Sequence, residues 1–207
     1  MIEDDRSAAT AATERDDGLE VVEGRDGAAV ALVRGGRLQR ILSLDQALLV
    51  SLGRFRTPLR TAVARTLTRL GNASSWTVAG IALLATLQPR GVHLGLRLAA
   101  GSTLATLASQ ALKRSLTRAR PDSAIHGFEP LSANPDEFSF PSGHAAAAFA
   151  VAVAFLGEPF AAGPLAAVLA TGIALSRIYL GAHYPLDVAA GGVLGVLAGL
   201  TARLLVP

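Results

Sequence analysis

Five apolar runs, separated by short polar stretches, constrain the fold of this chain more than any other feature of its sequence. They cover residues 76–87, 92–112, 143–156, 160–175 and 186–206. Hydrophobic residues make up 51% of the 207 residues, and the mean hydropathy is +0.42, which is high for a soluble protein of this size. Several runs are shorter than the ~20 residues that a bilayer span ideally needs. The pattern predicts an all-α fold, a polytopic membrane bundle of about five transmembrane helices.

The chain ahead of these runs divides into two segments of different character. Residues 1–34 begin with an acidic stretch of low hydrophobicity, which predicts a disordered acidic tail; a β-hairpin through 19–33 is the alternative. Residues 35–71 carry apolar side chains at three- and four-residue spacing, with arginines between them. This spacing predicts N-terminal amphipathic helices on the bilayer surface, or a weakly hydrophobic lead-in to the first span. Residues 72–207 then form the transmembrane domain.

The charge distribution favours a membrane over a nucleic acid as the partner of this chain. The net charge is +3 and the pI is about 10.1. The arginines, however, flank the apolar runs, as they do in membrane proteins, and aromatic residues for base stacking make up only 5% of the chain. The sequence contains no cysteine, which excludes disulfides and thiolate metal sites.

Polar residues interrupt the apolar pattern in three groups. The first, KRSLTRARP, ends the second run and carries Lys113 and Arg120. These two cations lie seven residues apart, so they share one helix face if the helix continues to Arg120. A basic cluster at a helix end is also typical of an interfacial anchor, and this alternative stays open for the group taken alone.

The second group, PSGH, opens the third run with Ser142, Gly143 and His144. A helix that begins here directs free N–H groups and the positive end of its dipole outward, which suits a phosphate. An ordinary capped helix start with a polar histidine at the interface is the alternative.

The third group, SRIYLGAHYPLD, lies between the fourth and fifth runs and supplies Arg177, His183 and Asp187. A carboxylate four residues after a histidine can hold one imidazole nitrogen and leave the other free as a nucleophile. An interfacial histidine and a helix-capping aspartate are the alternative for this group.

A bundle of five helices brings the three groups to one side of the membrane, because each group lies at the end of a run. That side then collects three cations, two histidines, a carboxylate and the free N–H groups of a helix start. Cations stabilise the phosphoryl oxygens during transfer. The combination predicts a phosphate pocket with a nucleophile and a proton donor.

The three groups also resemble a known signature. K-x6-RP, PSGH and SR-x5-H-x3-D resemble, in order and at full spacing, the motifs of the type 2 phosphatidic acid phosphatase family; they span 113–121, 141–144 and 176–187. The resemblance implies an integral membrane lipid phosphatase that uses no metal ion or other cofactor.

Roles for individual residues follow from the same resemblance. It implies that His183 attacks phosphorus to form a phosphohistidine, that Asp187 orients His183, and that His144 protonates the leaving oxygen. The residues that the resemblance assigns to phosphate binding are Lys113, Arg120, Ser142, Gly143 and Arg177.

The resemblance leaves the lipid substrate open. A polyprenyl or undecaprenyl diphosphate, phosphatidic acid and phosphatidylglycerol phosphate all fit an enzyme that takes its substrate from the bilayer. The loop 122–140 is expected to overhang the pocket, where His126 and Glu129 either contact a headgroup or, as we favour, are simply solvated. A non-enzymatic lipid-binding or transport component and a vanadate-dependent haloperoxidase-like enzyme are the alternatives.

Small size and the richness in arginine and alanine suggest a bacterial chain in the inner membrane. With five spans, counting positive charges on the two sides favours a cytoplasmic active site, because the arginines of 34–69 lie on the same side as the three motifs. If residues 42–70 contain a true span, the active site faces outward instead. The sequence gives no indication of the oligomeric state.

Overall fold

The computed structural model describes residues 20–23, 29–32, 36–132 and 136–207. Within the predicted acidic tail, strands β1 (Glu20–Glu23) and β2 (Ala29–Leu32) pair antiparallel, with Glu20 opposite Leu32 and Glu23 opposite Ala29. The prediction of disorder for 1–34 is therefore corrected at these residues. Valines in both strands and an Asp-Gly pair between them favour a hairpin. The remainder of the tail lies outside the described residues.

Two helices occupy the segment predicted to be amphipathic. Helix α1 covers Arg37–Leu52, a 3-10 turn follows at Gly53–Phe55, and helix α2 covers Pro58–Leu70. Thr57 caps α2 by accepting a hydrogen bond from the Arg60 N–H, and Pro58 suits the first helical position. One face of α1 exposes an apolar stripe, made of Leu38, Ile41, Leu44, Leu48 and Leu52.

Each of the five apolar runs is helical. They correspond to α3 (Ala73–Ala85), α4 (Pro89–Leu116), α6 (Gly143–Ala154), α7 (Ala162–Tyr179) and α8 (Pro185–Leu205), with the short α5 (Pro121–Ala124) in the loop after α4. Helices α7 and α8 are long and apolar enough to cross a membrane, whereas α3 and α6 are apolar but shorter. Apart from the N-terminal hairpin, the described chain is a helical membrane fold.

Helix α6 lies at the centre of the bundle, packed against α4, α7 and α8. Its contact with α8 depends on three glycines four residues apart. A Cβ added to Gly191 would lie 2.4 Å from the Ser142 carbonyl oxygen, and one added to Gly195 would lie 2.2 Å from that of Ala146. At Gly199 the added Cβ would meet the side chain of Val153 at 2.6 Å. Glycine therefore permits the close approach that membrane helices need.

The helix termini define two ends of the bundle. At one end the loop before α6 meets the start of α8, because the Ser142 N–H donates to the Asp187 carbonyl at 2.9 Å. At the other end Arg203 of α8 donates to the Leu156 carbonyl at 2.7 Å. The end of α4, the start of α6, the end of α7 and the start of α8 consequently meet at the first of these ends.

Candidate active site

A cavity of about 490 Å³ opens at the end of the bundle where the three motifs converge. Most of the residues singled out from the sequence line it, namely Lys113, Arg120, Gly143, His144, Arg177 and His183. The other two, Ser142 and Asp187, are fully buried beside Gly143 and His183 respectively. The structure thus brings the three motifs together, while the roles of the individual residues stay predictions.

Three buried cations line the polar end of this cavity. Lys113 lies in the last turn of α4 and Arg177 in the last turn of α7. Arg120 follows α4, and its Nη1 donates to the Ala182 carbonyl at 2.8 Å. Each of the three residues is at most 5% exposed. Thr68 of α2 helps to place Arg177 by accepting a hydrogen bond from its Nη1 at 3.2 Å.

Asp136, in the loop before α6, places a carboxylate among these cations. Its side chain forms an ion pair with Lys113, and its carbonyl oxygen accepts from Arg120 Nε at 2.5 Å. Burial raises the pKa of Asp136, but the hydrogen bond and charge of Lys113, with the charge of Arg120, outweigh burial and bring the pKa below its ordinary value. Among the described residues that line the cavity, three cations face one carboxylate. The excess positive charge suits an anionic ligand.

The start of α6 adds a second element that suits an anion. Ser142 caps the helix, because its hydroxyl accepts from the Ala145 N–H at 3.5 Å. Gly143, the first helical residue, lines the cavity directly. The first N–H groups of a helix lack partners within the helix and lie at the positive end of its dipole. A phosphate at this end of the cavity therefore meets both backbone donors and cationic side chains.

His183 lies in the turn between α7 and α8 and is 2% exposed. Gly181 makes the turn possible: its φ is 74°, and an added Cβ would lie 2.8 Å from the Phe128 ring. His183 Nδ1 lies 3.6 Å from Asp187 Oδ2, which leaves Nε2 available to the cavity. Burial, together with the charges of Arg177 and Arg120, lowers the pKa of His183 to about 4 against the opposing effect of Asp187. The imidazole is therefore neutral at pH 7, as a nucleophile must be.

His144 lies in the first turn of α6 and contacts the start of α3. Its Nε2 is 2.9 Å from the side-chain oxygen of Asn72, the residue before α3. Because an amide oxygen only accepts hydrogen bonds, Nε2 carries the hydrogen in this contact. Asn72 thus fixes the orientation of the ring that was predicted to exchange a proton with the substrate.

Asp187 has a second charged partner besides His183. Its Oδ1 accepts from Arg118 Nη1 at 2.6 Å, and Arg118 Nη2 donates to Asp45 Oδ2 of α1 at 2.7 Å.

Within the described residues, no group of three or more His, Cys, Asp or Glu side chains is placed to hold a metal ion. The loop residues His126 and Glu129 are exposed and do not line the cavity.

The sequence did not point to four of these contact residues: Asp45, Asn72, Arg118 and Asp136. One feature of the sequence does distinguish Asp45: it is the only acidic residue between 28 and 121. Arg118 lies within the basic group KRSLTRARP, but it is neither of the two cations, Lys113 and Arg120, that belong to the motif. Asn72 reaches the site from an element distant in sequence, so no spacing pattern predicts its contact. Asp136 lies in the loop 122–140, which is expected to overhang the pocket, but the sequence does not single it out among the residues of that loop.

The fold and the site together define a helical membrane protein with a cationic cavity that suits an anion. Residues 94–207 match the family model of the PAP2 superfamily, so the chain belongs to this superfamily. Decaprenylphosphoryl-5-phosphoribose phosphatase of Mycobacterium tuberculosis is 38% identical over 145 residues, which cover 69% of this chain and 78% of the relative.

Two solved structures share the fold. The PAP2-type phosphatidylglycerolphosphate phosphatase of Bacillus subtilis is 28% identical, with a TM-score of 0.65, over 80% of this chain and 85% of the other. LpxE of Aquifex aeolicus is 26% identical, with a TM-score of 0.68, over 78% of this chain and 95% of the other. The similarity thus extends beyond the three motifs to most of the helical bundle.

Proposed function

We propose that this protein is an integral membrane lipid phosphatase that works through a phosphohistidine on His183. The observation that carries the proposal is a single cavity that holds two histidines and three cations at its polar end. Phosphoryl transfer through a covalent intermediate needs a nucleophile, a proton donor and positive charge around the phosphoryl oxygens. All three requirements are met by side chains that line this cavity.

The remainder of the cavity supports a lipid as the substrate. It extends between α3 and α4, where its apolar lining includes Trp76, Ile81, Leu84 and Leu107. A phosphate held by Lys113 and Arg177 would place the attached chain along this apolar surface. Predominantly apolar lining with a few convergent polar groups is typical of a small-molecule site.

In the first chemical step, Nε2 of His183 donates its electron pair to phosphorus while the bond from phosphorus to the lipid oxygen breaks. His144, protonated on both nitrogens, gives a proton to that oxygen, so the lipid leaves as an alcohol or as a shorter phosphate. Asp187 stabilises the positive charge that develops on the His183 ring. Lys113, Arg120 and Arg177 bind the three equatorial oxygens, where charge is spread in the transition state.

In the second step, water attacks phosphorus and the bond between phosphorus and His183 Nε2 breaks. His144, now neutral, takes a proton from the attacking water and regains its protonated form. Inorganic phosphate leaves, and His183 returns to the neutral state. Neither step requires a metal ion, because the cations of the cavity neutralise the phosphoryl charge.

The substrate class that we propose is a phosphomonoester or diphosphate of a lipid. A polyprenyl compound stands first, because the Mycobacterium tuberculosis relative is named for a decaprenyl-linked sugar phosphate. Phosphatidylglycerol phosphate is the second candidate, since the Bacillus subtilis neighbour is named for it. Phosphatidic acid and undecaprenyl diphosphate are the remaining candidate substrates.

The topology that we propose has five spans, α3, α4, α6, α7 and α8, with α1 and α2 on the membrane surface beside the active site. Helix α6 is only about 18 Å long, so its flanking loops must lie within the membrane thickness. The arginines of α1 and α2 lie at the active-site end, where Asp45 contacts Leu186 and Thr68 contacts Arg177. Segments rich in arginine and lysine lie preferentially on the cytoplasmic side of membrane proteins. We therefore place the active site on the cytoplasmic face of a bacterial inner membrane.

Phosphate release by the purified protein in detergent, with EDTA present, tests the proposed function. The substrate panel contains a decaprenyl-linked phosphate, undecaprenyl diphosphate, phosphatidic acid and phosphatidylglycerol phosphate. His183→Ala should abolish release, whereas His126→Ala, a histidine exposed outside the cavity, should not. Equal release by the wild type and His183→Ala would contradict the proposal. Binding of these lipids without release by the wild type would favour the non-enzymatic alternative.

A further inference from the structure

Asp187, the partner of the predicted nucleophile, belongs to a charged network that continues to the N-terminal helix. Arg118 lies between two carboxylates: Nη1 donates to Asp187 Oδ1 at 2.6 Å and Nη2 donates to Asp45 Oδ2 at 2.7 Å. Two separate nitrogens of one planar guanidinium therefore hold the two carboxylates at fixed relative positions. On its other side, Asp187 Oδ2 faces His183 Nδ1 at 3.6 Å.

The network is buried, and its members are held by further contacts. The side chains of Asp45 and Asp187 are 2% and 0% exposed, and that of Arg118 is 18% exposed. The Arg118 guanidinium stacks on the Tyr184 ring, with 4.0 Å between its central carbon and the ring centroid. Such stacking fixes the plane of the guanidinium, and thereby the direction of its donors.

Asp45 also contacts the helix that carries Asp187. Its Oδ1 accepts from the Leu186 N–H at 2.9 Å, so α1 supplies a cap to the first turn of α8. Asp187 caps the same turn from within, because its Oδ2 accepts from the Tyr184 N–H at 3.0 Å. Both carboxylates thus lie at the positive end of the α8 dipole.

We propose that Asp45 and Arg118 are positioning residues for the phosphatase reaction: Arg118, oriented by Asp45, fixes the Asp187 carboxylate that in turn orients His183. The inference rests on the proposed function and deepens it. Neither Asp45 nor Arg118 lines the cavity, so neither touches the substrate. Helix α1, which lies outside the residues matched by the family model, thereby takes part in setting the geometry of the nucleophile.

A purely stabilising role explains the network poorly. Removing two carboxylates and a guanidinium from water is costly, and replacement of buried ion pairs by apolar residues is often neutral or stabilising. An apolar contact between α1 and α8 would therefore hold the helices together at least as well. Directional hydrogen bonds to a catalytic carboxylate are what the charged residues add.

The test compares Asp45→Asn and Arg118→Lys with the wild type. Asp45→Asn keeps the size of the side chain and removes its charge. Arg118→Lys keeps the charge but replaces two donor nitrogens in a fixed plane by one rotatable ammonium, which cannot reproduce the separate Nη1 and Nη2 contacts to the two carboxylates. Glu158→Gln is the matched control, because it breaks an acid–arginine pair with Arg90 at the opposite end of the bundle.

Two readouts separate positioning from stability: kcat and KM with the best lipid of the panel, and ¹⁵N NMR of the histidine-labelled full-length protein in detergent. Loss of a charge-assisted hydrogen bond predicts a kcat reduced roughly 10- to 100-fold in both variants, with KM within about twofold of the wild type. The double variant should be no worse than the poorer single variant, because the two residues act as one unit. The His183 ring signals should shift in both variants and stay unchanged in Glu158→Gln.

The possible failures are distinguishable. An Asp45→Asn protein with wild-type kcat and unchanged His183 signals would overturn the positioning role of Asp45 and Arg118. The proposed phosphatase function would be unaffected by that result. A wild type without phosphatase activity would instead remove the proposed function, and the NMR comparison would still decide whether Asp45 and Arg118 orient His183. If Asp45→Asn does not fold, Arg118→Lys carries the same two readouts, and wild-type values for it would also overturn the proposal.

Discussion

The depressed pKa of His183 gives the nucleophile a pH dependence that differs from that of free histidine. Burial, Arg177 and Arg120 lower this pKa from 6.5 to about 4. Protonation removes the electron pair that attacks phosphorus, so reactivity should be retained as the pH falls through 6.5 and lost only near pH 4. We expect the ¹⁵N signals of His183, assigned with a His183→Gln variant, to titrate near pH 4. Titration at pH 6 or above would contradict the burial argument.

In the proposed mechanism, Asp136 would compete with the substrate for the three cations of the cavity. Its carboxylate is paired with Lys113 in the structure, so an incoming phosphate must displace it. Asp136→Asn should therefore lower KM by roughly 3- to 10-fold, within the worth of a charge-assisted hydrogen bond. Steady-state kinetics measures the effect, and Glu137→Gln, an exposed neighbour, is the matched control. A raised KM in Asp136→Asn would show instead that this carboxylate organises the cations for binding.

At the scale of residues, the sequence predicts the convergence of its three motifs better than the contacts that support them. Lys113, Ser142 and His183 are placed by helix ends, and helix ends can be inferred from hydropathy. Asn72 reaches the site from an element whose packing has no local sequence signal, and the sequence does not single out Asp136 within the loop 122–140. Their contacts depend on tertiary structure, which spacing along the chain does not encode.

At the scale of elements, the packing of α8 against α6 supports the end of α6 that lines the cavity. Gly191→Ala would bring a Cβ to 2.4 Å from the Ser142 carbonyl oxygen, and the start of α6 would have to move. We expect a loss of about 1–3 kcal/mol in stability, the usual cost of overpacking, together with a raised KM. Thermal unfolding in detergent and steady-state kinetics provide the measurements.

The adjacent glycine offers the control for this prediction. A Cβ added at Gly192 would meet the Phe149 ring at 3.4 Å, close to ordinary contact. Gly192→Ala should therefore retain a melting temperature and KM near those of the wild type. Equal effects of the two substitutions would argue against a specific contact between α8 and the start of α6.

The sequence predicts the helices better than the short strands, because the apolar runs of the helices are long and distinct. All five apolar runs are helices, because long apolar segments in lipid must satisfy their backbone hydrogen bonds internally. Helix α4 extends four residues beyond the predicted run but ends at Leu116, so it does not continue to Arg120, and Lys113 and Arg120 do not share a helix face. The sequence favours disorder over the hairpin of β1 and β2, because strands of four residues carry a weak signal.

At the scale of the whole molecule, the orientation in the membrane can be tested with single cysteines, because the chain contains none. Arg54 lies in the exposed turn between α1 and α2, and Phe160, which is 95% exposed, lies at the opposite end of the bundle. With a cytoplasmic active site, an impermeant maleimide should label Phe160→Cys but not Arg54→Cys in spheroplasts. After lysis both variants should react, and the reversed pattern in intact spheroplasts would place the active site on the outer face.

The covalent intermediate that we propose joins the fold, the site and the proposed function. Rapid quenching of the wild type with a ³²P-labelled lipid phosphate should trap an alkali-stable, acid-labile phosphate, which mass spectrometry should locate on His183. His183→Ala should show neither label nor turnover. Turnover without a trapped phosphate on the wild type, or full activity in His183→Ala, would contradict the phosphohistidine mechanism.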